Sequence, residues 1–130
     1  METNDFVELK VWITFIIPMI VSEKIENKEI VKQYKELLQI SYQTLSNKDK
    51  TLIRSAFDTA VNAHRNQRRK SGEPYVFHPI SVAKIVAHEI GLDATSIAAA
   101  LLHDVVEDTE YSFEDIEKLF GRDVMRIVEG

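Results

Sequence analysis

The sequence contains no cysteine. That single absence excludes a disulfide framework, thiolate zinc sites and a cysteine nucleophile, so any bound metal must use histidine, carboxylate or water. Glycine and proline are scarce, at four and three residues in 130, which argues against a turn-rich all-β architecture. A basic excess is also missing. Sixteen Lys and Arg face 21 Asp and Glu, a net charge of −5, and an acidic domain is a poor general nucleic-acid binder. The length suits one domain, and 45% hydrophobic with 28% charged residues is a globular balance rather than a disordered one.

No apolar run is long enough to cross a membrane. The longest, Val11 to Val21 (VWITFIIPMIV), would span about 16 Å as a helix at 1.5 Å per residue, roughly half of a hydrocarbon core. Glu2, Asp5 and Glu8 precede it where a signal peptide wants basic residues, and no small-residue cleavage site follows. The run reads as a buried or partner-binding segment, or as an interfacial anchor without the usual cationic face. A third reading makes Met19 the true start. Residues 1–22 are therefore set apart from a domain over 23–130. With no targeting signal, the cytoplasm is the default location.

What is present is helical periodicity. Asn27 is placed to cap a helix running to about Leu45, with Ile30, Val31, Tyr34, Leu37, Leu38 and Ser41 on one side. Ser46 and Asp49 form a capping-box pair, and Leu52, Ile53, Ala56, Phe57, Ala60, Val61 and His64 recur at three- and four-residue spacing. That helix is expected to stop near Asn66, a residue that tolerates left-handed backbone. Gly72 and Pro74 break the next stretch, and Pro79 suits the first turn of a helix ending at Gly91. Asp93 caps a helix through Ile97, Ala98, Leu101, Leu102 and Val105. Ser112 and Asp115 start a short one ended by Gly121, and Asp123 to Glu129 begins another. The expectation is an all-α bundle of about six helices, incomplete at its C-terminus because the last helix has barely begun.

Charge is uneven. Residues 1–65 carry nine basic and nine acidic residues; residues 66–130 carry seven and twelve. Within the acidic half sits a basic knot, Arg65, Arg68, Arg69 and Lys70. A small anionic ligand bridged to carboxylates by a cation suits that layout, and so does a solvated helix end.

The four histidines are His64, His78, His88 and His103. His103-Asp104 interrupts an apolar helix, and an Asp beside Leu102 and Val105 is costly without a partner. Glu107 lies four residues from His103, and Asp108 four from Asp104, so each pair shares a helix face. His78, just before Pro79 at a helix start, is free to ligate. Two histidines and a carboxylate suit a divalent transition metal such as manganese, iron or zinc, with Glu107 or Asp108 left to position water or protonate a leaving group. The structural alternative makes His103-Asp104 an ordinary helix surface, His64 a core or supporting residue on an apolar stripe, and His88 a surface residue beside Glu89.

The stretch AHRNQRRKSGEPYVFHP, followed by LLHDVVEDT and FGRDVMRIVEG, resembles the N-terminal HD hydrolase domain of the RelA/SpoT family, from about Ala56 to Gly130. Those enzymes make and degrade guanosine tetra- and pentaphosphate. The resemblance implies that His78, His103 and Asp104 match three of four ligands of a manganese ion. Glu107 and Asp108 match the acid pair that activates water and aids hydrolysis. Arg69 matches the arginine packed on the guanine, and Lys70 and Ser71 match neighbours in the nucleotide pocket. The implied reaction removes pyrophosphate from the 3′ position, leaving GDP or GTP.

This sequence departs from the family in two ways. Asn66 stands where many members carry Gly, and the fourth ligand, an Asp on a later helix, is expected beyond residue 130. Other readings from other classes are a non-catalytic helical interaction module and an HD phosphohydrolase acting on another nucleotide. The expected partner is thus a small nucleotide, with no direct nucleic acid and no membrane span, and a homo-oligomer stays open.

Overall fold

The computed structural model describes residues 9–10, 13–14, 17–41, 45–90 and 93–130. Among them lie six α-helices: α1 (Ile17–Ser41), α2 (Asn47–Ala63), α3 (Phe77–Ile85), α4 (Ala94–Asp108), α5 (Phe113–Phe120) and α6 (Arg122–Glu129). A π-helical turn, Val86–Ile90, continues α3. The chain divides into two units, Met1–Lys32 and Gln33–Gly130, and the site residues all belong to the second. Most of the apolar Val11 to Val21 run lies outside the residues whose side chains are described. No helix of the described residues is long and apolar enough to cross a membrane.

The helix starts follow local chemistry. Ser46 Oγ accepts the Asp49 N–H and an Asp49 carboxylate oxygen accepts the Ser46 N–H, both at 3.1 Å. Ser112 and Asp115 repeat this box at the head of α5, and Asp93 caps α4 through the Ser96 N–H. Each box satisfies two donors that the first helical turn leaves without partners. Pro79 occupies the third residue of α3, where its missing N–H breaks no helical bond. Gly121, with φ +96°, joins α5 to α6. Added side-chain bulk would meet nothing within 4 Å there, so the backbone conformation, not crowding, demands glycine.

Three expectations need correction. α1 begins ten residues before Asn27, while its expected end near Leu45 falls on residues 42–44, outside the described residues. Pro18 sits in its first turn, no further Pro or Gly interrupts the stretch up to Asn27, and a capping residue inside a continuing helix does not stop it. The third helix stops being α-helical at Ile85, and a π-helical turn carries the chain to Ile90. Asn66 is not left-handed, since no described residue other than glycine has a positive φ. α2 instead closes through His64 N–H to Ala60 O at 3.0 Å and a turn from Gln67 N–H to His64 O at 2.9 Å.

α4 is the hub: α2, α3 and α6 all pack on it. Ala94, Ile97, Ala98, Ala99, Leu101, Leu102 and Val105 are buried on almost all sides of its first three turns, as expected of a helix surrounded by partners. Ile53, Ala56, Phe57 and Ala60 face it from α2, Ile80 and Ala83 from α3, and Val124 and Val128 from α6. Each large aliphatic side chain buried this way contributes about 1.5–3 kcal/mol. In the second unit the last turns of α1 add Leu37 and Tyr34, whose ring lies 4.4 Å from that of Phe57. Lys84 on α3 reaches back to Glu36 at 2.6 Å and to Gln33. This framework fixes the far end of α4, where the histidine and the acids emerge.

Candidate metal centre and active site

The last turns of α4 change character. His103, Glu107 and Asp108 are exposed, while the Asp104 side chain is only 15% exposed. Adjacent helical residues diverge by about 100°, yet the His103 ring leans over, placing Nδ1 3.3 Å from Asp104 Oδ1. From the first turn of α3, His78 brings Nε2 to 3.6 Å from Asp104 Oδ2. Asp104 therefore stands between two imidazoles, one on each oxygen. No Lys or Arg pairs with it among the described residues. Both separations are longer than a good hydrogen bond.

Glu107 joins them. One potential ligand atom from each of His103, Asp104 and Glu107 lies within 4.8 Å of the others. Imidazole nitrogen with carboxylate oxygen is the donor set that divalent transition metals favour, so the residues fit such an ion. Glu107 falls inside this group; Asp108 and His78, the latter expected as a ligand, do not.

The turn between α2 and α3 supplies the other wall. Arg68 and Pro74 form a bridge across it, Arg69 N–H donates to Glu73 O at 3.0 Å, and Gly72 N–H donates to Arg69 O at 2.9 Å. Gly72 has φ +100°, a conformation glycine adopts without strain. Ser71 Oγ donates to Glu73 Oε2 at 2.6 Å, and this bond, more than the nearby Arg69, holds the Glu73 carboxyl below its usual range. Arg69 faces Glu73 at 4.0 Å with both side chains over 40% exposed, a weak pairing that leaves the guanidinium available. Lys70 is exposed beside it.

Tyr75 ties this turn to the acids. Its ring lies 4.9 Å from that of His64 and 6.0 Å from that of His78. Burial first, then the charges and hydrogen bonding of Asp104 and Asp108, push its hydroxyl up to about 12. Gln67 bridges the same gap with its amide, donating to the Asp108 carbonyl at 2.6 Å. The sequence reading gave neither Tyr75 nor Gln67 a role. The Tyr75 signal was its place beside Glu73-Pro74 in the turn, three residues before His78. Gln67 had none, because its partner lies 41 residues away.

A family match decides the affiliation: the HD domain matches residues 56–130. The chain belongs to the HD-domain family. Its relatives are of the RelA/SpoT kind. The bifunctional (p)ppGpp synthase/hydrolase SpoT of Escherichia coli is 51% identical over 78 residues, 60% of this chain and 11% of that protein. A probable guanosine-3′,5′-bis(diphosphate) 3′-pyrophosphohydrolase of Synechocystis is 53% identical over 79 residues, 61% of this chain and 10% of that protein. A Streptomyces coelicolor relative, 49% identical over 78 residues, 60% of this chain and 9% of that protein, is named a GTP pyrophosphokinase. The chain thus spans about a tenth of the length of the curated relatives it matches. A solved structure, described as a metazoan ortholog of SpoT that hydrolyzes ppGpp, superposes with a TM-score of 0.56 at 45% identity. It covers 65% of this chain, which covers 47% of it. The expected all-α HD fold is therefore correct, and His78, His103 and Asp104 of this HD domain stand together on α3 and α4.

Proposed function

We propose that this HD domain forms part of a metal-dependent 3′-pyrophosphohydrolase site for guanosine tetra- and pentaphosphate, acting in the stringent response in the cytoplasm. The hydrolase segment comprises residues 23–130, with 1–22 a separate stretch. The observation that carries the reading is Asp104, held between the imidazoles of His78 and His103 at 3.6 and 3.3 Å beside Glu107. The named activities of the relatives support the choice of substrate.

His78, His103 and Asp104 would hold the divalent ion, manganese in this reading. When bound, such an ion acidifies water and offsets phosphate charge. Glu107, within reach of the same point, orients the attacking water and takes its proton. Water adds to the phosphorus carried by the 3′ oxygen, the bond to that oxygen breaks, and pyrophosphate departs. Asp108, with Tyr75 beside it, helps return a proton to the 3′ oxygen. Arg69 stacks on the guanine through its planar guanidinium, and Lys70 and Ser71 line the nucleotide pocket.

The test is hydrolysis of guanosine tetraphosphate by this chain with added manganese, beside His103→Ala. Manganese-dependent release of pyrophosphate that the variant lacks is expected. Release without metal, or equal release by the variant, would remove the reading; no release while manganese is bound would show that these residues do not suffice for hydrolysis by themselves.

A further inference from the structure

His64 is 1% exposed, and among the described residues its Nε2 has no hydrogen-bond partner. A buried imidazole with an unpaired nitrogen costs stability that a leucine or phenylalanine would not, so the role of its other nitrogen matters. Nδ1 lies 2.8 Å from Gln67 Oε1. The orientation of the Gln67 amide is fixed at its far end, because Nε2 meets a carbonyl, Asp108 O, at 2.6 Å. A carbonyl only accepts, so the NH2 of Gln67 must point there and its oxygen must point at His64. That oxygen also only accepts, so His64 Nδ1 carries the proton. A second proton on Nε2 would leave a buried charge with an unpaired N–H. His64 is therefore the neutral Nδ1–H tautomer, and its unpaired atom is a lone pair.

Gln67 has a second attachment. Its backbone carbonyl accepts the Tyr75 N–H at 2.9 Å, which closes the basic turn 68–74. One residue is thus fastened to His64, to the end of α4 and to that turn. The Asp108 carbonyl is one of those the end of a helix leaves without internal donors, and Gln67 supplies its donor.

We propose that His64 and Gln67 are positioning residues, a buried relay that sets Glu107 and Asp108 relative to the basic turn. The inference deepens the hydrolase reading and rests on it for the reaction being positioned. The relay touches neither nucleotide nor metal ligand. It acts on the direction of the last turn of α4, where a displacement of about 1 Å costs up to about a hundredfold in rate.

Two variants of the full chain test this. Gln67→Met removes both side-chain bonds at similar volume; Gln67→Glu keeps an acceptor for His64 and removes the donor to Asp108. The first readout needs no metal and no activity. Nitrogen NMR of His64 should give the Nδ1–H tautomer in the unmodified chain, and Gln67→Met should lose that preference. Both variants should shift the Asp108 carbonyl resonance and the amides of Arg69, Lys70 and Ser71. An Nε2–H tautomer, or changes confined to residue 67, would overturn the relay whatever the chain hydrolyses. The second readout is turnover of guanosine tetraphosphate with manganese. Both variants should lose about tenfold to a hundredfold in kcat at unchanged KM and manganese affinity. Unchanged kcat, or a loss confined to KM, overturns it. An unmodified chain that shows the tautomer but no hydrolysis removes the turnover readout, and the resonance shifts then decide whether the relay couples turn and helix.

Discussion

Replacing Asp104 by Asn is the sharpest probe of the site, because shape is kept and one charge is lost. Asp104 is the shared neighbour of both imidazoles, so its charge should dominate attraction for a cation. A unit charge and a divalent ion about 4 Å apart attract by about 2 kcal/mol even at the dielectric of water, and by about 8 at an effective value of 20. The side chain is 15% exposed, so the water figure is a lower bound. At 1.4 kcal/mol per tenfold, Asp104→Asn should weaken manganese binding at least about thirtyfold. The assay is calorimetric titration with manganese, beside Asp123→Asn, which removes an equal charge from an exposed position on α6. The metal-free melting temperature should hold or rise in Asp104→Asn, because Glu107 and Asp108 lose a like-charged neighbour. A loss of affinity under about threefold, or an equal loss in Asp123→Asn, would refute the assignment of Asp104.

Glu107→Ala should keep manganese bound and lower turnover by about a hundredfold or more, as expected of a lost general base; parallel titration and kinetics check this, and equal loss of metal would make Glu107 a ligand. Leu102→Ala, in a fully buried position on α4, should destabilise the chain by about 2–5 kcal/mol, read from urea denaturation. Tyr75 gives a pH signature. Its folded pKa of about 12 lies above the ordinary tyrosine value of about 10, so the fold favours the neutral phenol. Its contribution is whole below about pH 10 and is lost as pH rises through about 12. Melting temperature against pH should fall across that window, and the slope should shrink in Tyr75→Phe.

The sequence disclosed most clearly those features that depend on neighbours along the chain. The Ser46–Asp49 and Ser112–Asp115 boxes, the Asp93 cap and the buried stripes of α2 and α4 all came from three- and four-residue spacing, and all are present. The failures came where local signals allowed more than one option. Asn27 caps well but sits inside a longer helix, and Asn66 tolerates a left-handed backbone it does not adopt. The nearness of His78 to Asp104 follows from no spacing rule, because 25 intervening positions separate them on two helices. Gln67 stayed invisible for the same reason, its partner lying 41 residues away. Periodicity identifies which face is buried, not which polar group on the next element a side chain meets.

The placement of the acids on α4 is itself an argument for a cation. The C-terminal end of a helix carries partial negative charge and favours Lys, Arg or protonated His. The last turn of α4 has no basic residue. It carries Glu107 and Asp108, with Asp104 one turn earlier, so like charges gather where the helix least favours them. Nothing local stabilises that choice; the buried Ala94 to Leu102 stretch and the three helices around it hold the end in place. A core able to tolerate an unfavourable end is common, but an unfavourable end flanked by two imidazoles is a specific arrangement. A divalent cation held by these residues would offset each term: the acids would no longer repel one another unscreened, and the imidazole lone pairs would gain an acceptor. The sequence conflict at the end of α4 is thus what a metal centre needs from the fold, and local rules are expected to fail where a site is built.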